Sequence, residues 1–295
     1  MLKQIADAVA HVGGRAFLVG GSVRDQLLGI TPKDEDIEIF GLALDQLQEI
    51  ASRFGEVDLV GKAFGIIKIH GGDIDLSLPR KDNKIGVKHD DFTVNVDPFM
   101  SYAEACRRRD FTMNAIMQDI LTGEIIDPFN GIQDLKKSVL RIVDATTFAE
   151  DALRVVRAMQ FVARFGLTVE PQSTEIMRSM LPELQYIPKE RYYEEWCKLL
   201  LKSKRPSLGL RFAQDAGILD TLYPMFTALI DVPQPPDWHP EGDAWQHTLI
   251  AVDLAAEIMQ GREESQRWTV LLATLCHDIG KATCTRLQDG KNIAY

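Results

Sequence analysis

The residues best suited to chemistry begin with a glycine pair followed by two aspartates. Gly20 and Gly21 separate an apolar strand from the start of a helix, which lets backbone N–H groups approach a phosphate. Asp34 and Asp36 are two residues apart on a predicted strand, so their side chains face the same side. Adjacent carboxylates repel each other, and a divalent ion relieves that repulsion. Oxygen ligands beside a phosphate favour Mg²⁺, so the pattern predicts a magnesium site next to a phosphate-binding turn.

Three further residues extend this site. Ser22 belongs to the glycine turn, and Arg24 is expected to pair with phosphate oxygens. Asp75, on a later predicted strand, is either a third carboxylate of the metal site or a polar residue of an edge strand. Both interpretations stay open on the pattern alone.

An arginine run precedes a second polar set. Arg107, Arg108 and Arg109 are consecutive and cannot all face one way, so we expect at least one to be solvated. Asp110 and Asn114 are four residues apart, as on one face of a helix that Asp110 would cap. The functional interpretation has arginine holding a triphosphate while the Asp/Asn pair holds sugar hydroxyls.

A third set has helical spacing. Asp151, Arg154 and Arg157 are each three residues apart, which predicts one helix face. A surface ladder of ion pairs would have the same spacing. The functional alternative is recognition of a base, in which the carboxylate accepts from an exocyclic amine and arginine donates to ring acceptors.

Composition limits the classes of protein to consider. The chain has 295 residues, 45% hydrophobic and 26% charged, which is typical of a globular protein rather than a disordered one. Its formal net charge of −10 argues mildly against a nucleic-acid partner, although a local basic surface can override a total. Four dispersed cysteines, no signal peptide and no long apolar run predict a soluble cytoplasmic protein with no membrane partner.

The elements that must position these residues change in type along the chain. Apolar periodicity predicts a mixed α/β or α+β region at residues 1–143, a helical region at 144–231 and, after a proline-rich linker, a further helical region at 232–295. The chain stops soon after a polar turn, which predicts an incomplete last domain. The strands predicted in the first region are residues 15–19, 36–40, 65–70 and 73–78. The longer helices predicted later are residues 148–165, 171–181, 189–201, 208–216, 244–259 and 267–277.

A basic stretch at 189–211 is compatible with an RNA partner, because phosphate contacts from Lys and Arg supply most sequence-independent affinity. A solvated helix face would look similar. The aromatic residues interleaved in this stretch are Tyr192, Tyr193 and Trp196.

The motifs GGSVRD, Asp34-x-Asp36, RRRDFTMNAI and EDALRVVR, in this order, resemble the class II tRNA nucleotidyltransferase and bacterial poly(A) polymerase family. The resemblance implies a polymerase-β-like head followed by an all-α neck and body. It implies two-metal transfer of a nucleotide onto an RNA 3′ hydroxyl, with Asp34 and Asp36 as the Mg²⁺ ligands. Asp151 and Arg154 would read the base, supported by Arg157. Gln160 departs from the family, which usually has arginine there.

Residues of the last region resemble the HD phosphohydrolase signature. His277-Asp278 with the following Ile279-Gly280-Lys281 carries the resemblance, and His247 could complete part of a second divalent-metal site. Core or surface histidines of a helical bundle are the simpler alternative.

These motifs predict an enzyme that adds C and A to the tRNA 3′ end from CTP and ATP. A poly(A) polymerase, or an enzyme adding only CC or only A, would share every catalytic motif. An HD phosphohydrolase whose first half only binds RNA is a third hypothesis, but a binding module has no need of the Asp34/Asp36 pair.

Overall fold

The computed structural model describes residues 1–32, 35–60, 65–70, 74–84, 92–288 and 291–294. It divides into two compact units, Met1–Asp151 and Ala152–Tyr295. Within the described part of the chain, we find no helix with the length and apolar character needed to cross a membrane. The predicted division into three domains stays a prediction.

The first unit combines a large sheet with short helices. Its strands are β1 (Arg15–Val19), β2 (Glu35–Phe40), β3 (Val57–Val60), β4 (Ile66–Ile69), β5 (Ile74–Ser77), β6 (Arg80–Lys84), β7 (Phe92–Val96), β8 (Met117–Asp119), β9 (Ile125–Ile126) and β10 (Val139–Leu140). Its helices are α1 (Leu2–His11), α2 (Gly21–Leu27), α3 (Leu44–Ala51), α4 (Tyr102–Arg107), α5 (Gly131–Lys136) and α6 (Ala145–Phe148).

Seven strands form one sheet in the order β3-β4-β5-β2-β1-β8-β9. Only β2 and β5 run parallel among its neighbouring described strands; the other pairs are antiparallel. Side chains alternate along β2, with Ile37 and Ile39 on one face and Glu38 and Phe40 on the other. All four are buried, so this central strand is covered on both faces.

One of these faces packs on α4. Phe17 of β1 and Phe40 of β2 form a buried cluster with Ala105 and Cys106 of α4. Ser101 caps α4 through its hydroxyl, which accepts from the Glu104 N–H. The packing of α4 brings the arginines that follow it to the sheet face that carries Glu38.

The second unit is helical, with one short hairpin. Its elements are α7 (Leu153–Phe165), β11 (Thr168–Val169), α8 (Pro171–Ser179), α9 (Lys189–Lys202), α10 (Pro206–Asp215), α11 (Ile218–Leu222), α12 (Pro224–Thr227), α13 (Ala244–Ile258), α14 (Glu264–Cys276), α15 (Lys281–Cys284), β12 (Thr285–Gln288) and β13 (Lys291–Ala294). The helices predicted from periodicity after residue 170 are confirmed here, apart from shifted ends.

The single helix predicted at residues 148–165 is wrong. α6 ends at Phe148 and α7 begins at Leu153. Asp144 starts α6 as a separate helix, since its carboxylate accepts from two backbone N–H groups. Phe148 is fully buried against Phe111, with ring centroids 5.5 Å apart. The apolar periodicity therefore spans two helices that pack separately.

A close helix contact gives a stability prediction. A Cβ added at Gly209 of α10 would lie 2.3 Å from the Met159 carbonyl oxygen of α7. Because backbone must move to relieve this clash, we expect Gly209→Ala to lower the free energy of unfolding by about 3 kcal/mol. Gly280→Ala is the control, since nothing lies within 4 Å of its Cβ position. Urea unfolding of both variants tests this, and equal effects would contradict it.

Candidate functional site

The candidate site lies on the sheet face where β2 and β5 run side by side. Asp36 and Asp75 are Cα partners in the parallel register, so their side chains leave the sheet on the same side. Asp36 is exposed, and the Asp75 side chain keeps 47% of its area accessible. The parallel register therefore brings together two carboxylates that are distant in sequence.

These residues fit a hard divalent cation. The Oδ1 atom of Asp75 is shielded from solvent and has no hydrogen-bond partner among the described residues. The Lys68 Nζ lies 4.0 Å from it, beyond hydrogen-bond distance. Carboxylate oxygens are the ligands Mg²⁺ prefers. Asp34, predicted as the other metal ligand, lies outside the described residues.

A third acid stands on the same face of β2, further inside. Glu38 is fully buried, and its two carboxylate oxygens accept from two arginines. Arg108 Nη2 donates to Oε1 at 2.7 Å, and Arg109 Nη2 donates to Oε2 at 3.3 Å. Burial alone would raise the pKa of the Glu38 carboxyl, but the two guanidinium groups outweigh burial and hold that pKa below its usual value. Glu38 is therefore a charged anchor for both arginines.

The arginine run divides as the sequence predicted. Arg107 is half exposed and pairs with Asp144 at 3.1 Å, so it is the solvated member. Arg108 and Arg109 turn inward, with 15% and 21% of their side chains exposed. Burial would lower the pKa of Arg109, but the nearby Glu38 and Asp36 charges outweigh it and raise that pKa. Arg109 therefore keeps its positive charge beside Glu38.

The glycine turn lies against one of these arginines. Gly20 has a φ of 66°, and a Cβ there would lie 3.1 Å from Arg109 Nη1. Glycine thus satisfies both the left-handed backbone and the close approach of the guanidinium. Ser22 is buried, and its hydroxyl donates to the Val19 carbonyl at 2.8 Å. Its role in the turn includes this structural hydrogen bond.

Behind the turn, Arg24 joins the polar pair of the RRRDFTMN motif. Arg24 is buried and donates from Nη1 to Asn114 Oδ1 at 2.7 Å. Asn114 in turn donates to Asp110 Oδ1 at 2.8 Å. Arg24 also pairs with Asp25 at 2.7 Å. This buried chain of hydrogen bonds links the glycine turn to the second predicted motif.

The helix predicted to start at Asp110 is wrong. Residues Thr112–Asn114 form a single 3₁₀ turn. The Thr112 N–H is bonded to the Arg141 carbonyl at 2.9 Å, and Phe111 bridges to Ile142. Because this backbone pairs with another segment, it cannot continue as a helix. Asp110 and Asn114 nevertheless meet, as their spacing predicted.

The three residues predicted for one helix face are not all helical. Asp151 precedes the helix, while Arg154 and Arg157 lie within α7. Arg157 Nη1 lies 3.7 Å from the buried Glu195 Oε1 of α9 and packs over the Phe161 ring. Gln160 is buried, and its side-chain oxygen accepts from Arg164 Nη1 at 3.0 Å. The helix face is thus shorter than predicted and is fixed by packing.

The histidines of the second unit form a compact group. The ligand atoms of His247, His277 and Asp278 lie within 4.8 Å of one another. Asp278 is buried and accepts from the Lys281 ammonium at 2.9 Å. The structure thus brings together the three residues predicted for a second metal site.

Two acceptors orient the imidazole rings. The Nδ1 atom of His247 lies 2.7 Å from Glu241 Oε1, and that of His277 lies 2.6 Å from the Thr274 carbonyl. Both partners only accept, so each Nδ1 donates, and in a neutral ring Nε2 then carries the lone pair. The Nε2 atom of His277 lies 3.3 Å from Asp278 Oδ2. The hydrogen bond from His247 lowers the pKa of the Glu241 carboxyl to about 2, aided by His239. Glu241 was not predicted, and only its place in the HPEGD segment before His247 could have indicated it.

The aromatic side chains of the basic stretch are more buried than the sequence indicated. Tyr192 is buried and its hydroxyl donates to the Leu184 carbonyl. Trp196 Nε1 donates to the Tyr223 hydroxyl at 2.8 Å. Tyr193 is 55% exposed and packs edge-on against Trp268. Only one of the three interleaved aromatic rings is therefore open to solvent.

Two family models match the chain. Residues 16–141 match the poly(A) polymerase head domain. Residues 166–230 match the probable RNA- and SrmB-binding site of polymerase A. The first match contains the carboxylate face, the glycine turn and the two inward arginines.

Similar proteins are known as sequences and as structures. The multifunctional CCA protein of Psychromonas ingrahamii is 37% identical over 272 residues, which cover 90% of this chain and 63% of that protein. The chain thus spans less than two thirds of this relative's length.

The Thermotoga maritima CCA-adding enzyme complexed with tRNA(CCA) has a TM-score of 0.64 at 23% identity, covering 94% of this chain and 67% of that one. A tRNA-processing enzyme with CTP has a TM-score of 0.63 at 25% identity, covering 94% of this chain and 71% of that one. These similarities confirm the predicted fold class, a polymerase-β-like head followed by helices.

Proposed function

Because the chain belongs to the class II tRNA nucleotidyltransferase and bacterial poly(A) polymerase family, we propose that it adds C and A nucleotides to the 3′ end of tRNA from CTP and ATP. The observation that carries this proposal is the in-register pair of Asp36 and Asp75 next to two arginines anchored on Glu38. Carboxylates for a metal beside cations for a triphosphate are what nucleotidyl transfer requires.

The reaction is attack of the RNA 3′ hydroxyl on the nucleotide α-phosphate, with pyrophosphate leaving. Mg²⁺ held by Asp34, Asp36 and Asp75 would neutralise charge on the reacting phosphate and activate the attacking oxygen. Arg108 and Arg109 hold the triphosphate through their guanidinium groups, which are partly exposed. The anchored guanidinium groups therefore meet the leaving pyrophosphate already oriented.

Other side chains have supporting roles in this proposal. The Gly20 N–H donates to the Ile116 carbonyl at 3.3 Å, so the Gly21 N–H is the donor of the turn that approaches the phosphates. Asp110 and Asn114 hold the sugar hydroxyls. Arg24 fixes Asn114 through their hydrogen bond. The nucleotide base is read by Asp151 and Arg154, supported by Arg157, an assignment that rests on the EDALRVVR pattern.

The test is incorporation of labelled CTP or ATP with Mg²⁺ into three RNAs: tRNA lacking CCA, tRNA ending in CC, and oligo(A). We expect C to be added to the first and A to the second. Extension of oligo(A) alone would favour a poly(A) polymerase, and labelling of only one tRNA would indicate a CC-adding or A-adding enzyme. Labelling of none would refute nucleotidyl transfer.

The histidine group supports a second candidate function, metal-dependent phosphohydrolysis of the HD type. His247 and His277 offer Nε2 lone pairs, and Asp278 adds a carboxylate, a donor set that suits a first-row transition metal. Such an ion would activate a water for attack on a phosphate ester. Glu241 would hold His247 in the required tautomer.

The two functions should be separable by mutation. We expect His277→Ala to lose bound Mn²⁺ or Zn²⁺, because it removes one ligand, while CTP incorporation stays nearly unchanged. Metal content by mass spectrometry and labelled-CTP incorporation are the measurements. His70→Ala, which removes an exposed histidine of the first unit, is the control. A large loss of CTP incorporation in His277→Ala at unchanged thermal stability would show that the two sites are not independent.

A further inference from the structure

We propose that Glu38 is a positioning residue for the nucleotide triphosphate, holding Arg108 and Arg109 side by side next to the carboxylate face of Asp36 and Asp75. The proposal rests on the proposed nucleotidyl transfer and deepens it. It assigns a role to a buried acid that has no part in metal binding.

The position of Glu38 separates it from the metal ligands. It stands two residues after Asp36 on β2, so both side chains leave the same face. Asp36 is exposed, whereas Glu38 is fully buried. The Cα partners of Glu38 on the two neighbouring strands are Phe17 and Ser77. Neither is acidic, so Glu38 has no second carboxylate beside it in the register with which to hold a metal. Both of its oxygens already accept from arginine.

Two guanidinium groups held this close repel each other in a buried setting. One carboxylate that gives one oxygen to each of them offsets the repulsion and fixes their spacing. Each guanidinium has five N–H donors, and the observed hydrogen bonds to Glu38 use one from each. Both side chains also stay partly exposed, 15% for Arg108 and 21% for Arg109, so a triphosphate can reach the two guanidinium groups. A triphosphate therefore meets cations that need no reorganisation on binding.

A second observation connects this cluster to the site rather than to the core. Arg109 Nη1 lies 3.1 Å from the Cβ position of Gly20, so the guanidinium lies against the glycine turn. That turn is where backbone N–H groups are expected to approach phosphate. The Glu38 cluster therefore borders the turn that the proposed function places at the phosphates.

The test compares the affinities of CTP and CMP in Glu38→Gln, measured by calorimetry on the full chain without RNA. Glutamine keeps the volume but offers one acceptor in place of two, so one arginine loses its anchor. We expect the preference for CTP over CMP to fall at least tenfold, while CMP affinity stays unchanged. Loss of a purely structural contact would change both affinities alike.

Two further variants keep the proposal falsifiable. Asp119→Asn is the matched control, because Asp119 is a buried carboxylate of the same sheet paired with Arg15 at 2.7 Å, and it should keep the CTP preference. If Glu38→Gln fails to fold, the preference for CTP over CMP is compared instead between Arg108→Gln and the double variant Arg108→Gln/Glu38→Gln. We expect little further loss of preference in the double variant, because the two residues act together.

The outcomes are distinct from those of the proposed function. An unchanged CTP preference in folded Glu38→Gln, or an equal fall in Asp119→Asn, would overturn the role of Glu38. So would a wild-type chain that binds CMP as tightly as CTP. A wild-type chain that prefers CTP but labels no RNA would refute nucleotidyl transfer while leaving the triphosphate site in place.

Discussion

Replacing Asp36 by alanine should abolish nucleotide incorporation and leave the fold intact. The side chain is exposed, so its removal creates no cavity. It removes one of two carboxylates that β2 and β5 place side by side. Losing a direct metal ligand should slow incorporation by roughly 10³-fold or more, since even outer-shell partners of a metal contribute 10–100-fold. We expect the same result for Asp34→Ala.

The matched control is Glu35→Ala. Glu35 is the neighbour of Asp36 on β2, and alternation places its side chain on the opposite face of the sheet. It should incorporate CTP at nearly the wild-type rate. The measurements are single-turnover incorporation into tRNA lacking CCA and thermal unfolding of each variant. Near wild-type incorporation by Asp36→Ala would exclude it as a metal ligand.

The fold was largely predictable because period-two alternation marks strands of a covered sheet. The prediction of strands at β1, β2, β4 and β5 is confirmed, with no end shifted by more than one residue. The sheet order could not be predicted. It depends on the parallel pairing of β2 with β5 across two intervening strands, and no local pattern carries that information.

The site was predictable where its residues are near in sequence. Asp110 and Asn114 meet as their spacing predicted, although their backbone is not helical. The Asp34-x-Asp36 pair stays a prediction, because Asp34 lies outside the described residues. Glu38 was missed, because an acid that alternates with isoleucine looks like the solvated side of a strand. The sequence feature that could have indicated burial of Glu38 is Phe40, an aromatic residue on the same face of the strand, because it predicts that this face is covered.

In the helical region, the sequence did not show which aromatic side chains of the basic stretch are buried. The cations around Tyr192 and Trp196 indicated a nucleic-acid surface, but both aromatic side chains lie inside and hydrogen-bond within the second unit. Helical period places residues four apart on one face, so these two share the buried side of α9. Interleaving in sequence therefore does not imply a shared surface.

Asp151→Ala should weaken base selection more than it slows transfer. Cytosine and adenine each present an exocyclic amine beside a ring nitrogen acceptor, and a carboxylate accepts from that amine. Uracil and guanine present a carbonyl there instead. The Asp151 carboxylate would then have no donor, which costs about 1–3 kcal/mol of binding free energy. The wild-type enzyme should therefore take CTP and ATP and reject UTP and GTP. Removing the carboxylate removes that penalty, whereas Asp36 and Asp75 stay in place for the chemistry.

The measurement is incorporation of all four nucleotides by wild type, by Asp151→Ala and by the control Asp45→Ala, which removes an exposed acid of α3 in the same unit. The ratio of CTP to UTP incorporation should fall roughly 5–150-fold in Asp151→Ala, the range that 1–3 kcal/mol implies. It should not change in Asp45→Ala. A selectivity ratio that survives in Asp151→Ala would mean that the base is read by other groups. In that case the EDALRVVR spacing would reflect the start of α7 and its packing through Arg157 and Glu195.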